Sequence, residues 1–322
     1  MLHLGALPHR SHSLDSTAPP DAFGPFRVLH QIGAGTLGPV FRAYDAERER
    51  LVAVKLFKLD LPPERVHQLV AALEDVIGAN LTHPAMAVPR ATGITGVTAY
   101  LAQDYVAAES LDLAVREYGA APPTDALRVV AQLAGALDFG AVMSIGHGAL
   151  HPRDVLLSAD ETRMTGLGVA RALETIGVAV PVRRPYTAPE RVAGGAWDRR
   201  ADIFSLAALA HEMLWARRIT GSGSHVVDAL TELPGSQFSA LKDAFARALA
   251  DDPHDRFETA LDFADALKHA FPDVTLTEPE PKKAKRPKEE ASAPRLPLDH
   301  ADVADLEPVT APPARRVVPP PL

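Results

Sequence analysis

A chain of 322 residues, 47% hydrophobic and 23% charged, has the composition of a globular protein and the length for one large domain or two small ones. Its formal net charge of −8 gives no basis for a nucleic-acid or anionic-membrane partner. With no cysteine it can form neither disulfides nor thiolate metal sites, and no run of about 18 apolar residues offers a membrane span, so a cytoplasmic location is expected.

Residues 1–23 are rich in Ser, His and Pro and are expected to be a flexible leader, not a signal peptide. The segments 26–32 (FRVLHQI), 39–45 (PVFRAYD) and 51–57 (LVAVKLF) read as strands. In 61–79 the apolar positions Val66, Leu69, Val70, Leu73 and Ile77 follow helical spacing. Short strands broken by glycines return over 87–106, and long helical patterns take over from Thr124, notably 125–143, 202–218 and 239–250. The expected fold class is α+β, with a β-rich lobe over 24–106 and a helical lobe over 107–271. Beyond Phe271 there is no aromatic residue and proline and charge are dense, so 272–322 is expected to be a disordered tail. Its KKAKRPK cluster reads as a solvated linker or a contact for an acidic partner.

Gly33, Gly35, Gly38 and Val40 form G-x-G-x-x-G-x-V. The motif alone is ambiguous, because dinucleotide-binding turns also use G-x-G-x-x-G. Here strands flank it on both sides, whereas a dinucleotide turn opens a helix. Glycines at these places let backbone N–H groups approach phosphates with no Cβ in the way. Lys55 ends VAVK on the expected third strand.

These features resemble the protein kinase superfamily, most closely bacterial serine/threonine kinases of the eukaryotic-like type. Ala188-Pro189-Glu190, Asp202 in DRRADIFSL, and Arg256 in DDPHDRF extend the resemblance over about 26–271. It implies a two-lobe fold and an ATP site under the glycine loop. Ile32, Gly33, Gly35, Gly38, Val40 and Ala53 would form its roof. Lys55 would hold phosphates and pair with Glu74 on the following helix. Gln103 takes the gatekeeper position, and Asp104 to Val106 would offer backbone groups to adenine. Asp202 would brace the catalytic-loop backbone, and Glu190 would pair with Arg256.

The resemblance breaks in the middle of the chain. Where the family has H-R-D-x-K-x-x-N, this chain has His147-Gly148-Ala149-Leu150-His151-Pro152-Arg153-Asp154, and D-F-G is Gly166-Leu167-Gly168. The proton acceptor is thus Ala149, the γ-phosphate lysine is His151, and the principal metal ligand is Gly166. Only Asp154, at the asparagine position, could still ligate Mg or Mn. Between Gly168 and Ala188 the only hydroxyl side chains open to phosphorylation by such a kinase are Thr175 and Thr187, and Arg183 is expected to be solvated, with anion binding as the alternative. Leu37 replaces the usual aromatic at the glycine-loop tip, and Pro39 stiffens the return strand. A general base contributes roughly 10²–10⁴ in rate. The expected function is therefore a pseudokinase: an ATP-binding scaffold or regulator with an unidentified protein partner, reached through the helical lobe or tail. A weakly active atypical phosphotransferase and a structural domain with an empty pocket are the alternatives.

Overall fold

The computed structural model describes residues 21–158 and 161–276. Most of the expected leader, and the tail with its basic cluster, lie outside the described residues.

Six antiparallel strands form the first sheet: β1 (Ala22–Phe23), β2 (Phe26–Gly35), β3 (Gly38–Asp45), β4 (Arg50–Leu56), β5 (Pro89–Thr95) and β6 (Thr98–Asp104), in the order β1-β2-β3-β4-β6-β5. Alternation along β3 buries Phe41, Ala43 and Asp45 on one face. Phe23 and Phe26 join Phe41, Val52, Val54 and Tyr100 in the core beneath the sheet. The folded unit therefore starts before residue 24, because burial of Phe23 anchors the short first strand. Helix α1 (Pro63–Gly78) lies between β4 and β5 in sequence and packs on β5 and β6.

The second lobe holds the remaining elements. A small sheet is built from β7 (Glu109–Ser110), β8 (Val155–Leu157) and β9 (Thr162–Met164). The helices are α2 (Leu111–Tyr118), α3 (Pro123–Val142), α4 (Val169–Thr175), α5 (Pro189–Val192), α6 (Arg199–Trp215), α7 (Ser224–Asp228), α8 (Phe238–Ala248) and α9 (Ala260–His269). Every residue of α6 from Ala201 to Leu214 is buried, which makes it the central post of this lobe. Helices α3 and α9 flank it, and Val274 and Leu276 pack against the same core, so the fold extends five residues past Phe271. This is the α+β, two-lobe arrangement that the resemblance implies.

Candidate functional site

The glycine loop joins β2 to β3. Gly33 has open space where a side chain would project and Gly35 only an ordinary contact with the Gly38 carbonyl oxygen, whereas Gly38 has φ +139° and a Cβ there would overlap the Leu56 carbonyl oxygen. The close approach has a partner bond: the Lys58 N–H donates to the Leu37 carbonyl at 2.7 Å. The loop tip is thus folded onto the end of β4. Leu37, 5% exposed, joins Phe57, Leu69, Leu73, Val169 and Leu173 in one apolar cluster. Of the expected roof residues, Ile32 is exposed, Val40 half-buried and Ala53 buried. Val40 sits opposite both Gly33 and Lys55 in the sheet, and Ala53 opposite Gln103.

At the strand β6 end, the Asp104 N–H donates to Val88 O at 3.0 Å, and its carboxylate binds Arg90 at 2.7 and 2.8 Å. The Val106 N–H has no partner among the described residues, while its carbonyl accepts from Ala108 N.

Lys55 does not pair with Glu74. Glu74 is exposed, and the Lys55 side chain makes no hydrogen bond or ion pair among the described residues. The cause is the rotation of α1, which buries Val66, Leu69, Ala72, Leu73 and Val76. At 100° per residue this face is turned by about 50° from the one expected from sequence, and it carries Glu74 to the solvent side. Helix α4 occupies the vacated direction: Ala172, Leu173 and Ile176 pack on α1, and Val76 abuts Gly168. Burial pushes the Lys55 ammonium pKa down, and Asp154 opposes that shift.

The loop from Gly146 to Asp154 is held from below. Asp202 accepts from the N–H groups of His147 and Gly148, both at 2.8 Å, and from the Trp197 indole at 2.9 Å. The indole covers Gly146 so closely that a Cβ there would overlap the ring. Gly148 has φ +69°, and a Cβ on it would lie 2.9 Å from that of Ala170. Gly146→Ala is expected to cost about 1–3 kcal/mol through overpacking, whereas Gly33→Ala, with nothing near it, should change stability by less than about 0.5 kcal/mol. Urea denaturation midpoints of the two variants test this contrast.

His147 is buried, with Nε2 3.0 Å from the Thr165 carbonyl and Nδ1 accepting from Ala149 N. Burial lowers its pKa, so the ring is neutral and Nε2–H donates. His151 stacks edge-on against Tyr186 and is pushed down to about 4 by burial, with Arg183 adding to the shift. A neutral His151 cannot stand in for a phosphate-binding lysine at pH 7.

Asp154 has its carboxylate in an ion pair: Arg183 Nη1 lies 2.6 Å from Oδ2. Arg183 is 16% exposed, so the expectation of a solvated arginine is corrected. Asp154 and Arg183 line one small cavity together with Lys55, Ala149, Gly166 and Leu37. Its volume of about 20 Å³ has room for one water molecule. Thr187 is buried, with its hydroxyl accepting from Arg183 N, which removes it as an accessible modification site; Thr175 is exposed.

Further down, both carboxylate oxygens of Glu190 meet the Arg256 guanidinium, at 2.7 and 2.8 Å. Arg256 is buried and also lies over the Phe204 ring.

A family model described as Protein kinase domain matches residues 26–271. The chain belongs to the protein kinase domain family. It is 29% identical over 271 residues to the serine/threonine-protein kinase PknD of Mycobacterium tuberculosis. To PknH of Mycobacterium bovis it is 28% identical over 268 residues. The two alignments cover 77% and 78% of this chain but 40% and 45% of those proteins. This chain therefore spans less than half the length of the curated relatives it matches. The crystal structure of the Mycobacterium tuberculosis PknI kinase domain aligns with a TM-score of 0.60 at 23% identity, over 79% of this chain and 99% of that one. At that identity the likeness shows the fold.

A kinase domain implies ATP and usually a divalent metal. The donors here do not fit the metal. Gly166 offers no ligand, the Asp154 carboxylate is engaged by Arg183, and no group of three His, Asp or Glu side chains is placed to hold an ion among the described residues. Among the described residues, no helix of this kinase domain is long and apolar enough to cross a membrane.

Three features of the site are absent from the expectations above. Helix α4 does carry a local signal, since Val169, Ala172, Leu173 and Ile176 have i, i+3, i+4, i+7 spacing. The contacts of Trp197 with the Gly146–Gly148 loop and of Arg183 with Asp154 join residues 29 or more positions apart, and no local pattern signals them.

Proposed function

We propose that this kinase domain is a pseudokinase, which binds a nucleotide as a ligand and signals through its conformation without transferring phosphate. One observation carries the reading: the cavity beside Lys55 is lined by Ala149 and Gly166, and its one carboxylate, Asp154, is bound to an arginine. Phosphoryl transfer relies on a group that orients or deprotonates the nucleophile and on a metal that neutralises developing charge. Neither has a residue here. The nucleotide part is supported by Lys55, which is half-buried and whose ammonium has no partner among the described residues, and by the Val106 N–H, which has none there either and would pair with the edge of a base. In the described conformation Leu37 and α4 close over the cavity beside Lys55, where the resemblance would put the phosphates. Ligand binding and α4 docking therefore compete, which gives the domain two states for a partner to distinguish.

A thermal-shift titration with ATP, paired with a radiolabelled-phosphate transfer assay in Mg²⁺ and Mn²⁺, tests the reading. ATP at about 100 times its dissociation constant should stabilise by about 2.7 kcal/mol, a rise of roughly 5–10 °C. Lys55→Ala should abolish that rise, and no label should reach the protein or a general substrate. The relatives' printed names, serine/threonine-protein kinases, favour a second reading as a weak phosphotransferase. Metal-dependent transfer lost in Asp154→Ala would establish it. The absence of any shift would leave a structural domain whose pocket stays closed.

A further inference from the structure

We propose that the Arg183 guanidinium takes the place of a divalent cation in this site, so that the domain holds the polyphosphate of its nucleotide without a metal. The inference rests on the nucleotide-binding reading above and adds how the charge is met.

Arg183 is built into the site from both ends. Its N–H donates to the Thr187 hydroxyl at 2.7 Å, and its carbonyl accepts from Tyr186 N and Thr187 N. That turn fixes the backbone independently of α4. Asp154 is fixed as firmly. Its N–H donates to His151 O at 2.8 Å, and its carbonyl accepts from the Thr165 N–H and hydroxyl. The pair between them is charge-assisted and half enclosed, with the two side chains 16% and 13% exposed.

The guanidinium has donor capacity left over. Nη1 is spent on Asp154, but Nε is buried and has no partner among the described residues. A buried donor without an acceptor is a destabilising feature, and the Arg183 side chain lines the cavity beside Asp154. Lys55 faces the same cavity, also without a partner among the described residues. The charged groups that line it are Lys55, Arg183 and Asp154, with His147 neutral. They leave one net positive charge with no ion added. A divalent cation, by contrast, would have to displace Arg183 from Asp154 and would then find a single carboxylate. Mg²⁺ demands near-octahedral oxygen coordination and is usually held by one or two carboxylates plus phosphates. Planar, bidentate recognition of phosphate is what a guanidinium does well. The ligand class is therefore a nucleoside di- or triphosphate in its metal-free form, admitted when Leu37 and α4 withdraw.

The full chain titrated with N-methylanthraniloyl-ATP, in excess EDTA and in millimolar Mg²⁺, tests this. Wild-type affinity in EDTA should be at least as tight as in Mg²⁺, because millimolar Mg²⁺ converts most of the nucleotide to its metal complex. Arg183→Gln, which keeps the bulk and loses the charge, should weaken binding in EDTA by about tenfold or more. Arg183→Lys should fall between. Circular dichroism melts identify any variant that fails to fold, and the Lys and Gln variants then back each other. Wild-type binding that needs Mg²⁺, or Arg183→Gln binding like wild type in EDTA, overturns the metal substitution while leaving nucleotide binding intact. Absence of binding in both buffers overturns both.

Discussion

Glu190→Ala is expected to destabilise the domain by about 3–5 kcal/mol, the cost of breaking a buried ion pair from one side. Arg256 has a fully buried side chain and its guanidinium is matched by both Glu190 oxygens. Removing the carboxylate leaves a buried cation with only the Ala250, Arg200 and Asp251 carbonyls as acceptors. The pair ties the start of α5 to the turn after α8, so the loss reaches both segments. A melt followed by circular dichroism should show Tm falling by roughly 10 °C or more. The reverse change, Arg256→Met, strands a carboxylate that is 22% exposed and can reach water, so it should cost less. The double variant Glu190→Leu/Arg256→Met removes both charges and should recover much of the loss. A shift under about 1 kcal/mol for Glu190→Ala would mean that the pair behaves as a surface bridge.

The same contrast between local and distant determinants explains what could be read from the sequence. The strands were legible because period-2 burial and the turn residues are written into neighbouring positions: Phe41, Ala43 and Asp45 alternate along β3 whatever packs above them. Central helix α6 was legible because its apolar residues run nearly without interruption. The face of α1 was not, although its spacing is helical. The expected stripe lacks Ala72 and Val76, which are buried, and contains Val70 and Ile77, which are only partly buried. What turned the helix is its partner. Helix α4 presents Leu173 and Ile176 to one side of α1, and burial there outweighs a Lys55–Glu74 pair whose carboxylate loses nothing by staying in water. The changed catalytic loop has a similar explanation. Gly146 admits the Trp197 indole, and Gly148 admits Ala170 of α4. Restoring an arginine at 148 would drive a side chain into that packing. The loop is thus fitted to the closed arrangement, and its residues can be understood as packing choices as well as lost chemistry.

Loosening α4 is accordingly expected to strengthen nucleotide binding. Leu173 is fully buried between α1 and the loop tip. Truncation of such a leucine to alanine costs about 2–5 kcal/mol. In the proposed two-state scheme the cost falls on the closed state alone, because α4 is undocked in the open state. Apparent affinity scales with the fraction of molecules that are open. If the closed state dominates, Leu173→Ala should tighten N-methylanthraniloyl-ATP binding by at least about tenfold, and the gain should saturate once the closed state is depopulated. Arg191→Gln, which releases the ion pair holding Glu174 at the end of α4, should act in the same direction with a smaller effect. Both variants should melt at lower temperature without nucleotide and regain stability when it is added. Affinity that is unchanged or weaker in a folded Leu173→Ala would show that α4 does not compete with the ligand. The plug would then be a fixed part of the core, and the two-state account of signalling would fall with it.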